Sequence, residues 1–407
     1  MAERAPRCTV TELAWSEIAI GAIDLPARRL EMVWGFGSGL TRRLSDPPGV
    51  VWAVGDRGPN LKVEVAIADY GVTTLGAHAN AEGAKVMPRL DAGPALAELS
   101  VCEDRVELLR IVPLTGGDGR PLTGLPPPGS EHTRFEPVVD IGGNVIAPNP
   151  SGIDSEGVVA LADGGFVIGD EYGPSLVHVD AGGSVIERWV PEGCGAGYAG
   201  ASYPVRETLP AIAARRRLNR GFEALALRGD DRLVLMFQSP LANPDIKASK
   251  RADHVRLWSL DARTGTVDGE WLYPLEPAEA FRRDKGAKPG KRKVSEITAL
   301  GDGSFLVLER VSQSTKLFRI RLEDGGSAID LSLDPSLEQR SAKRQAIASL
   351  TKELILDTDD HPEIGADLEG VTRLGPHELL IVNDNDFGCE GAVTRFWRVR
   401  FDDPVLG

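Results

Sequence analysis

The sequence predicts an all-β fold, a six-bladed β-propeller with loop and helix insertions. Three observations point there. Short apolar runs recur in pairs across Asp-Gly or Gly-Gly, as at 158–161 and 166–168 around 163–165, and at 297–300 and 305–308 around 301–303. Such pairs read as β-hairpins. Helical periodicity is scarce. Finally, the hairpin repeats with a shared signature, and repeats of this kind mark propellers and solenoids.

Four segments carry the signature. They are Asp154-Ser155-Glu156-Gly157-Val158, Gly221-Phe222-Glu223-Ala224-Leu225, Val294-Ser295-Glu296-Ile297-Thr298 and Asp367-Leu368-Glu369-Gly370-Val371. Each places Glu third, and successive glutamates lie 67, 73 and 73 residues apart. A turn and a second strand follow, ending in Asp170-Glu171, Gln238-Ser239, Glu309-Arg310 and Asn383-Asp384, at 14, 15, 13 and 14 residues from the glutamates. A degenerate copy comes first, with Ser38 in the Glu place and Asp56 at the strand end. The 118 residues from Ser38 to Glu156 leave room for one hidden unit between 62 and 150. Five visible units and one hidden one give six blades.

Outer strands are expected at 176–179, 255–260, 317–322 and 396–401, and residues 9–20 can close the ring against the last of them. Insertions fall near 116–150, 203–220, 276–293 and 335–356. The last of these reads as a surface helix, and 211–218 as a shorter one. One domain spans 1–407.

Composition bounds the function. With 46 Lys+Arg against 60 Asp+Glu, the net charge is −14, which disfavours nucleic acid and anionic membranes. No apolar run reaches the length of a membrane helix. The opening MAERAPRC lacks a signal-peptide layout. The expectation is a cytoplasmic protein as written, or a periplasmic or secreted one if a leader has been removed. Cys8, Cys102, Cys194 and Cys389 are scattered, with no Cys-x-x-Cys. Gly35, Gly37 and Gly39 lack a following βαβ pattern. There is no Walker A loop and no Gly-x-Ser-x-Gly elbow.

In a propeller the innermost strands face the axis. The repeated signature therefore brings Glu156, Glu223, Glu296 and Glu369 together, with Asp56 and Asp384 at the strand ends. Crowded buried carboxylates repel, and a hard dication relieves them. Calcium takes oxygen ligands of this kind. Zinc prefers His and Cys, and none of the six histidines lies in the motif. Calcium is thus expected, ahead of magnesium or manganese. The competing reading is that the glutamates cap backbone amides. Asp170 and Glu171 are candidates for catalysis. Arg57 and Arg310 are candidates for binding a substrate oxyanion, or for simple ion pairing with neighbouring acids. Asp384-x-Asp386-x-Gly388 opens like a calcium loop, but Arg395 stands where an EF-hand closes on Glu.

These stretches resemble the phytase-like propeller family, labelled for its esterase-like activity. The resemblance rests on DSEGVVALADGGFVIGDEYGP (154–174), NRGFEALAL (219–227), FQSPL (237–241), VSEITALGDGSFLVLER (294–310), DLEGVTRLGPHELLIVNDNDFG (367–388), GDRGPN (55–60) and GRPLTGL (119–125). It implies a six-bladed propeller and calcium. At Glu156-Gly157 with Asp170-Glu171-Tyr172, and at Asp367-x-Glu369-Gly370, the chain is similar to alkaline propeller phytases. In those enzymes, such carboxylates hold calcium that bridges phosphate and activates water.

The leading expectation is a calcium-dependent hydrolase of phosphate esters, acting on a small anionic substrate. A calcium-dependent lactonase or carboxylic esterase, and a non-enzymatic ligand- or protein-binding propeller with structural metal, stay open beside it.

Overall fold

A computed structural model of the chain describes residues 5–129, 134–322, 329–339, 347 and 349–407. They form five sheets of four or five strands. Blade 1 consists of Gly39–Thr41, Val50–Val54, Ala95–Val101 and Val106–Pro113. Blade 2 has Ser155–Ala160, Phe166–Asp170, Ser175–Val179 and Val185–Pro191, with Val205–Leu209 added in parallel. Blade 3 has Phe222–Arg228, Arg232–Phe237, His254–Asp261 and Val267–Pro274, and blade 4 has Lys293–Ala299, Phe305–Arg310, Thr315–Ile320 and Lys352–Asp357. Blade 5 has Leu368–Gly375, Glu378–Asn383 and Phe396–Phe401, and is completed by the first strand, Cys8–Leu13. The expected closure by the start of the chain is therefore what forms.

The first strand of each blade touches its counterparts in the two flanking blades, so the five run in a cycle, 1-2-3-4-5-1. This is a propeller-type arrangement. Inner strands lie against neighbours on both faces, and Ser155–Ala160 is buried throughout. Small residues make the close approach possible. A Cβ on Gly39 would lie 2.7 Å from the Glu156 carbonyl, and one on Gly157 would lie 2.3 Å from the Glu223 carbonyl.

The described residues do not form the expected sixth blade. The long gap after Ser38 is filled by an insertion inside blade 1, between Val50–Val54 and Ala95–Val101. It carries the helix Val63–Ala68 and two strands, Leu61–Lys62 and Lys85–Val86. With Val138–Val139 these make a small three-stranded sheet. Its own core includes Leu61, Val63, Tyr70, Leu75 and Val86. The length after Ser38 fits a further unit, but an insertion takes it up.

The expected helix at 335–356 is also corrected. Lys352–Asp357 is the outer strand of blade 4, only Leu337–Gln339 makes a helical turn, and residues 340–346 and 348 lie outside the described set. At 211–218 the helix is a single 3₁₀ turn, Ala211–Arg215. Cys8, Cys102 and Cys389 are free thiols. Among the described residues no helix is long and apolar enough to cross a membrane.

Candidate functional site

All four repeated inner strands break register at the signature. Pairing skips a residue between Phe222 and Ala224, between Val294 and Glu296, and between Leu368 and Gly370, and shifts between Ser155 and Val158. Each is a β-bulge, which re-aims a side chain. The pairing makes Glu156, Glu223, Ser295 and Glu369 equivalent. Each stands 14 residues before its strand-end partner, Asp170, Phe237, Glu309 or Asn383.

Glu296 is thus displaced by one position from the other three glutamates. A one-residue slip turns a strand side chain to the opposite face. Glu296 is fully buried and accepts backbone hydrogen bonds from Leu40 (3.0 Å) and from Ile297 (3.0 Å). It ties blade 4 to blade 1, and among the described residues neither close group of carboxylates includes Glu223, Glu296 or Glu369.

The ring divides into two arcs. On blades 3, 4 and 5 the polar groups satisfy one another. Glu223 accepts from the Ser295 hydroxyl at 2.7 Å and from the Gln238 amide. Arg310 donates to Ser295 at 2.9 Å, to Asp367 at 3.0 Å and to Glu369. Arg310, expected to bind substrate, is consumed by these pairs, and so is Glu369.

The other arc has an excess of acid. Carboxylate oxygens of Asp56, Asp154 and Glu156 come within 4.8 Å of one another, as do those of Asp56, Asp384 and Asp386. Asp56 is common to both groups. The opposing cation is Arg57, whose guanidinium lies 2.5 Å from Asp154, 2.6 Å from the Asn219 carbonyl oxygen and 3.1 Å from the Tyr172 hydroxyl. It too is buried and committed, which removes it as a free oxyanion ligand. Asp154 Oδ1, Glu156 Oε2 and Glu171 Oε1 are buried with no hydrogen-bond partner among the described residues. Such orphaned atoms are costly unless an unseen partner meets them.

Electrostatics follows from this geometry. Burial pushes Asp154 well above the usual carboxylate range, and Asp56 adds to the effect against Arg57. Burial raises Asp56 as well, but Arg57 and a hydrogen bond with Asp154 outweigh it and hold Asp56 low. Glu156 is driven well up by burial, then by Asp56, Glu171 and Asp154. Asp384 is driven well up by burial and by Asp386. Glu171 rises through burial and Glu223, against Arg57 and Lys293. Among the described residues, four non-glycines adopt the left-handed region, Asn219, Asp367, Asp386 and Phe387. Asn219 and Asp367 hold the two arginines and Asp386 is one of the clustered acids. Strain of this kind collects at functional sites.

Asp170, expected to take part in chemistry, has a different role. It accepts from the backbone of Asp154 and Tyr172 (both 3.0 Å), from the Ser175 hydroxyl (2.8 Å) and from Arg188 (2.5 Å). Its lone pairs are taken, and it anchors Asp154 from behind. The alternation of the strand placed Asp170 and Glu171 on opposite sides, so only Glu171 faces the site. Asp154 and Asp386 were not among the expected ligands. Both lie inside quoted motifs, Asp154 as the first residue of 154–174 and Asp386 near the end of 367–388.

The donor set is carboxylate oxygen alone. That fits calcium or magnesium and not zinc. Unfolded carboxyls titrate near pH 4, and those of Asp154, Glu156, Glu171 and Asp384 lie higher in the fold. Above about pH 4 the folded chain therefore holds protons the unfolded chain has lost, and these groups reduce stability as pH rises. A dication binds the deprotonated forms, so its stabilisation grows with pH. Calcium is expected to raise the Tm over an EDTA control more at pH 8 than at pH 5. Equal shifts at both values would remove these carboxylates from the explanation.

Comparison with known proteins bears on the fold and family. A family profile described as "Phytase-like: Esterase-like activity of phytase" matches residues 33–387. An uncharacterized secreted protein of Arthroderma benhamiae is 26% identical over 314 residues, which are 69% of this chain and 59% of that protein. The chain thus spans less than two thirds of that relative's length. Similar solved structures include a luciferin-regenerating enzyme (10% identity, 97% of this chain and 95% of that one, TM-score 0.35). Another is regucalcin, described as a calcium-binding protein, of Agrobacterium tumefaciens (12% identity, 91% and 94%, TM-score 0.35).

Proposed function

This chain belongs to the phytase-like family described by esterase-like activity, and from that premise we propose that it is a calcium-dependent ester hydrolase, acting first of all on phosphate esters. The observation that carries the reading is the buried trio of Asp56, Asp154 and Glu156, held against the single cation Arg57, in which Glu156 Oε2 has no hydrogen-bond donor among the described residues.

Asp56, Asp154 and Glu156 would hold the ion, with Asp384 and Asp386 beside them. A hard dication bound there neutralises ester oxygens and acidifies water. The chain supplies the rest. Arg57 fixes the Asp154 carboxylate and keeps Asp56 ionised. Asp170 fixes the Asp154 backbone. Glu171 lies on the same side, 3.7 Å from Arg57, with Oε1 unpartnered. Burial and Glu223 raise its pKa, which favours the protonated form needed to deliver a proton to a leaving alkoxide.

One observation favours a second reading. Arg57 and Arg310 are both spent on internal carboxylates, so neither is free to grip a substrate phosphate. A calcium-dependent lactonase or carboxylic esterase needs no such grip. The test is a panel of phosphomonoesters, lactones and carboxylic esters, assayed with calcium and with EDTA. Calcium-dependent turnover of phosphomonoesters supports the first reading, and turnover confined to lactones or carboxylic esters supports the second. Absence of turnover on every class leaves a binding propeller.

A further inference from the structure

Against a net charge of −14, one surface is basic. Three segments far apart in sequence meet on it: 215–220, the helix Ile246–Arg251 and the loop 282–293. Arg217 donates to the Gly290 carbonyl at 2.9 Å, and Arg220 reaches the Arg292 carbonyl at 3.3 Å. Arg292 in turn donates to the Ala252 carbonyl at 3.0 Å. The packing at Gly290 is tight, and a Cβ there would lie 2.8 Å from Lys250 Cγ. Arginine-to-carbonyl bonds thus fold the basic segments onto one another despite like charge.

What they display is unpaired. Arg215, Lys247, Lys250, Lys285, Lys288 and Lys291 are exposed. None makes an ion pair with a described residue, while most other exposed arginines do, among them Arg29, Arg105, Arg282 and Arg400. The acid within the loop, Asp284, is turned away to accept from the backbone of Gln313 and Ser314. Asp245 caps the helix, and Asp253 and Glu279 lie near Arg292, yet cations outnumber acids on this face, and the excess makes a positive potential that an anion relieves.

The surface leads to the site. The loop ends at Lys293, where the inner strand of blade 4 begins. Segment 215–220 contains Asn219, which holds Arg57, and Arg220, which donates to the Ser239 hydroxyl at 2.6 Å. The electrostatic neighbours of Lys293 include Arg310, Arg220, Glu223 and Glu171, and its ammonium has no hydrogen bond or ion pair to a described residue. The basic loop thus ends on a lysine that has Glu171 and Glu223 among its electrostatic neighbours.

We propose that this face is a docking surface for a small polyanion, a substrate bearing several phosphate or carboxylate groups, which it draws toward the carboxylate site. The proposal rests on the hydrolase reading for the word substrate, and on the basic surface alone for binding. It also resolves how an anionic ester could be held when Arg57 and Arg310 are spent.

The test uses tripolyphosphate as probe, without calcium, and the full chain, by titration calorimetry at low and physiological ionic strength. The triple variant Lys285→Glu, Lys288→Glu, Lys291→Glu is compared with Arg29→Glu, Arg105→Glu, Arg120→Glu, which changes net charge equally on other exposed sites. The loop variant is expected to weaken binding at least about tenfold at low salt and to flatten its salt dependence, while the control variant stays within about twofold. Equal loss in both variants, or loss in neither, overturns the proposal. Turnover of an uncharged ester is expected to be unchanged in the loop variant. Tripolyphosphate binding that depends on the loop in a protein that hydrolyses nothing would retire the hydrolase reading and leave the docking surface standing.

Discussion

Asp56→Asn is expected to abolish calcium-dependent turnover, lowering kcat/KM by about 100-fold or more. Even outer partners of a metal site cost about 10–100-fold when removed, and Asp56 belongs to both carboxylate groups. Its loss removes a negative charge from each. The metal-free fold should tolerate the change, because one charge leaves a cluster of like charges while Arg57 keeps Asp154. The calcium-induced rise in Tm should vanish with the activity, while the Tm in EDTA moves little. Calcium content by mass spectrometry and paired melts read both. If the variant keeps its calcium and its melting response, the ion resides elsewhere and the assignment of this cluster fails.

Asp170→Asn should behave in the opposite way, destabilising the protein by about 3–5 kcal/mol whether or not calcium is present. Asp170 and Arg188 are both fully buried, 2.5 Å apart. Arg188 also donates to the Ser175 hydroxyl and the Gly152 carbonyl, both at 2.8 Å. Removing one partner of such a pair leaves a charge uncompensated in the interior, and that is where the magnitude comes from. Denaturant unfolding in EDTA and in calcium measures it. A stable variant with lost turnover would return Asp170 to the chemistry.

Much of this architecture is visible in the residues. The Asp-Gly hairpins, the four inner strands, the strand at 396–401 and the closing strand at the start, which takes the outer edge expected of 396–401, all follow from period-two patterning and turn chemistry. The blade number does not, because the length between Ser38 and Glu156 fits two units, while its strands Leu61–Lys62 and Lys85–Val86 pair in a side sheet. Composition says strand; only tertiary pairing says which sheet. Glu296 was misplaced for a similar reason. Aligning it with the other glutamates gave a separation of 13 from Glu309, and the residue that stands 14 before Glu309 is Ser295, the one the pairing skips. The cluster itself was half legible. Asp56, Glu156 and Asp384 stand where strand ends meet the axis, but Asp386 enters through a left-handed turn and Asp154 through a backbone anchored by Asp170, neither of which has a pattern in sequence.

The pairing of Cys8–Leu13 with Phe396–Phe401 has a consequence for how the molecule comes to exist. Four blades can be completed in order as the chain emerges, since each is built from a continuous stretch. The fifth must wait, because its outer edge is the first strand made and its hydrogen-bonding partner is the last. Through the whole of synthesis that early strand presents open amides and carbonyls, the condition under which chains pair with the wrong neighbour. Its own sequence tempers the hazard. Thr9, Thr11 and Glu12 remain exposed even after docking, so the waiting ribbon is polar on the side it shows to water. Closure joins the two most distant strands in the chain, a step whose entropic cost grows only with the logarithm of the separation. It limits the speed of folding more than the final stability.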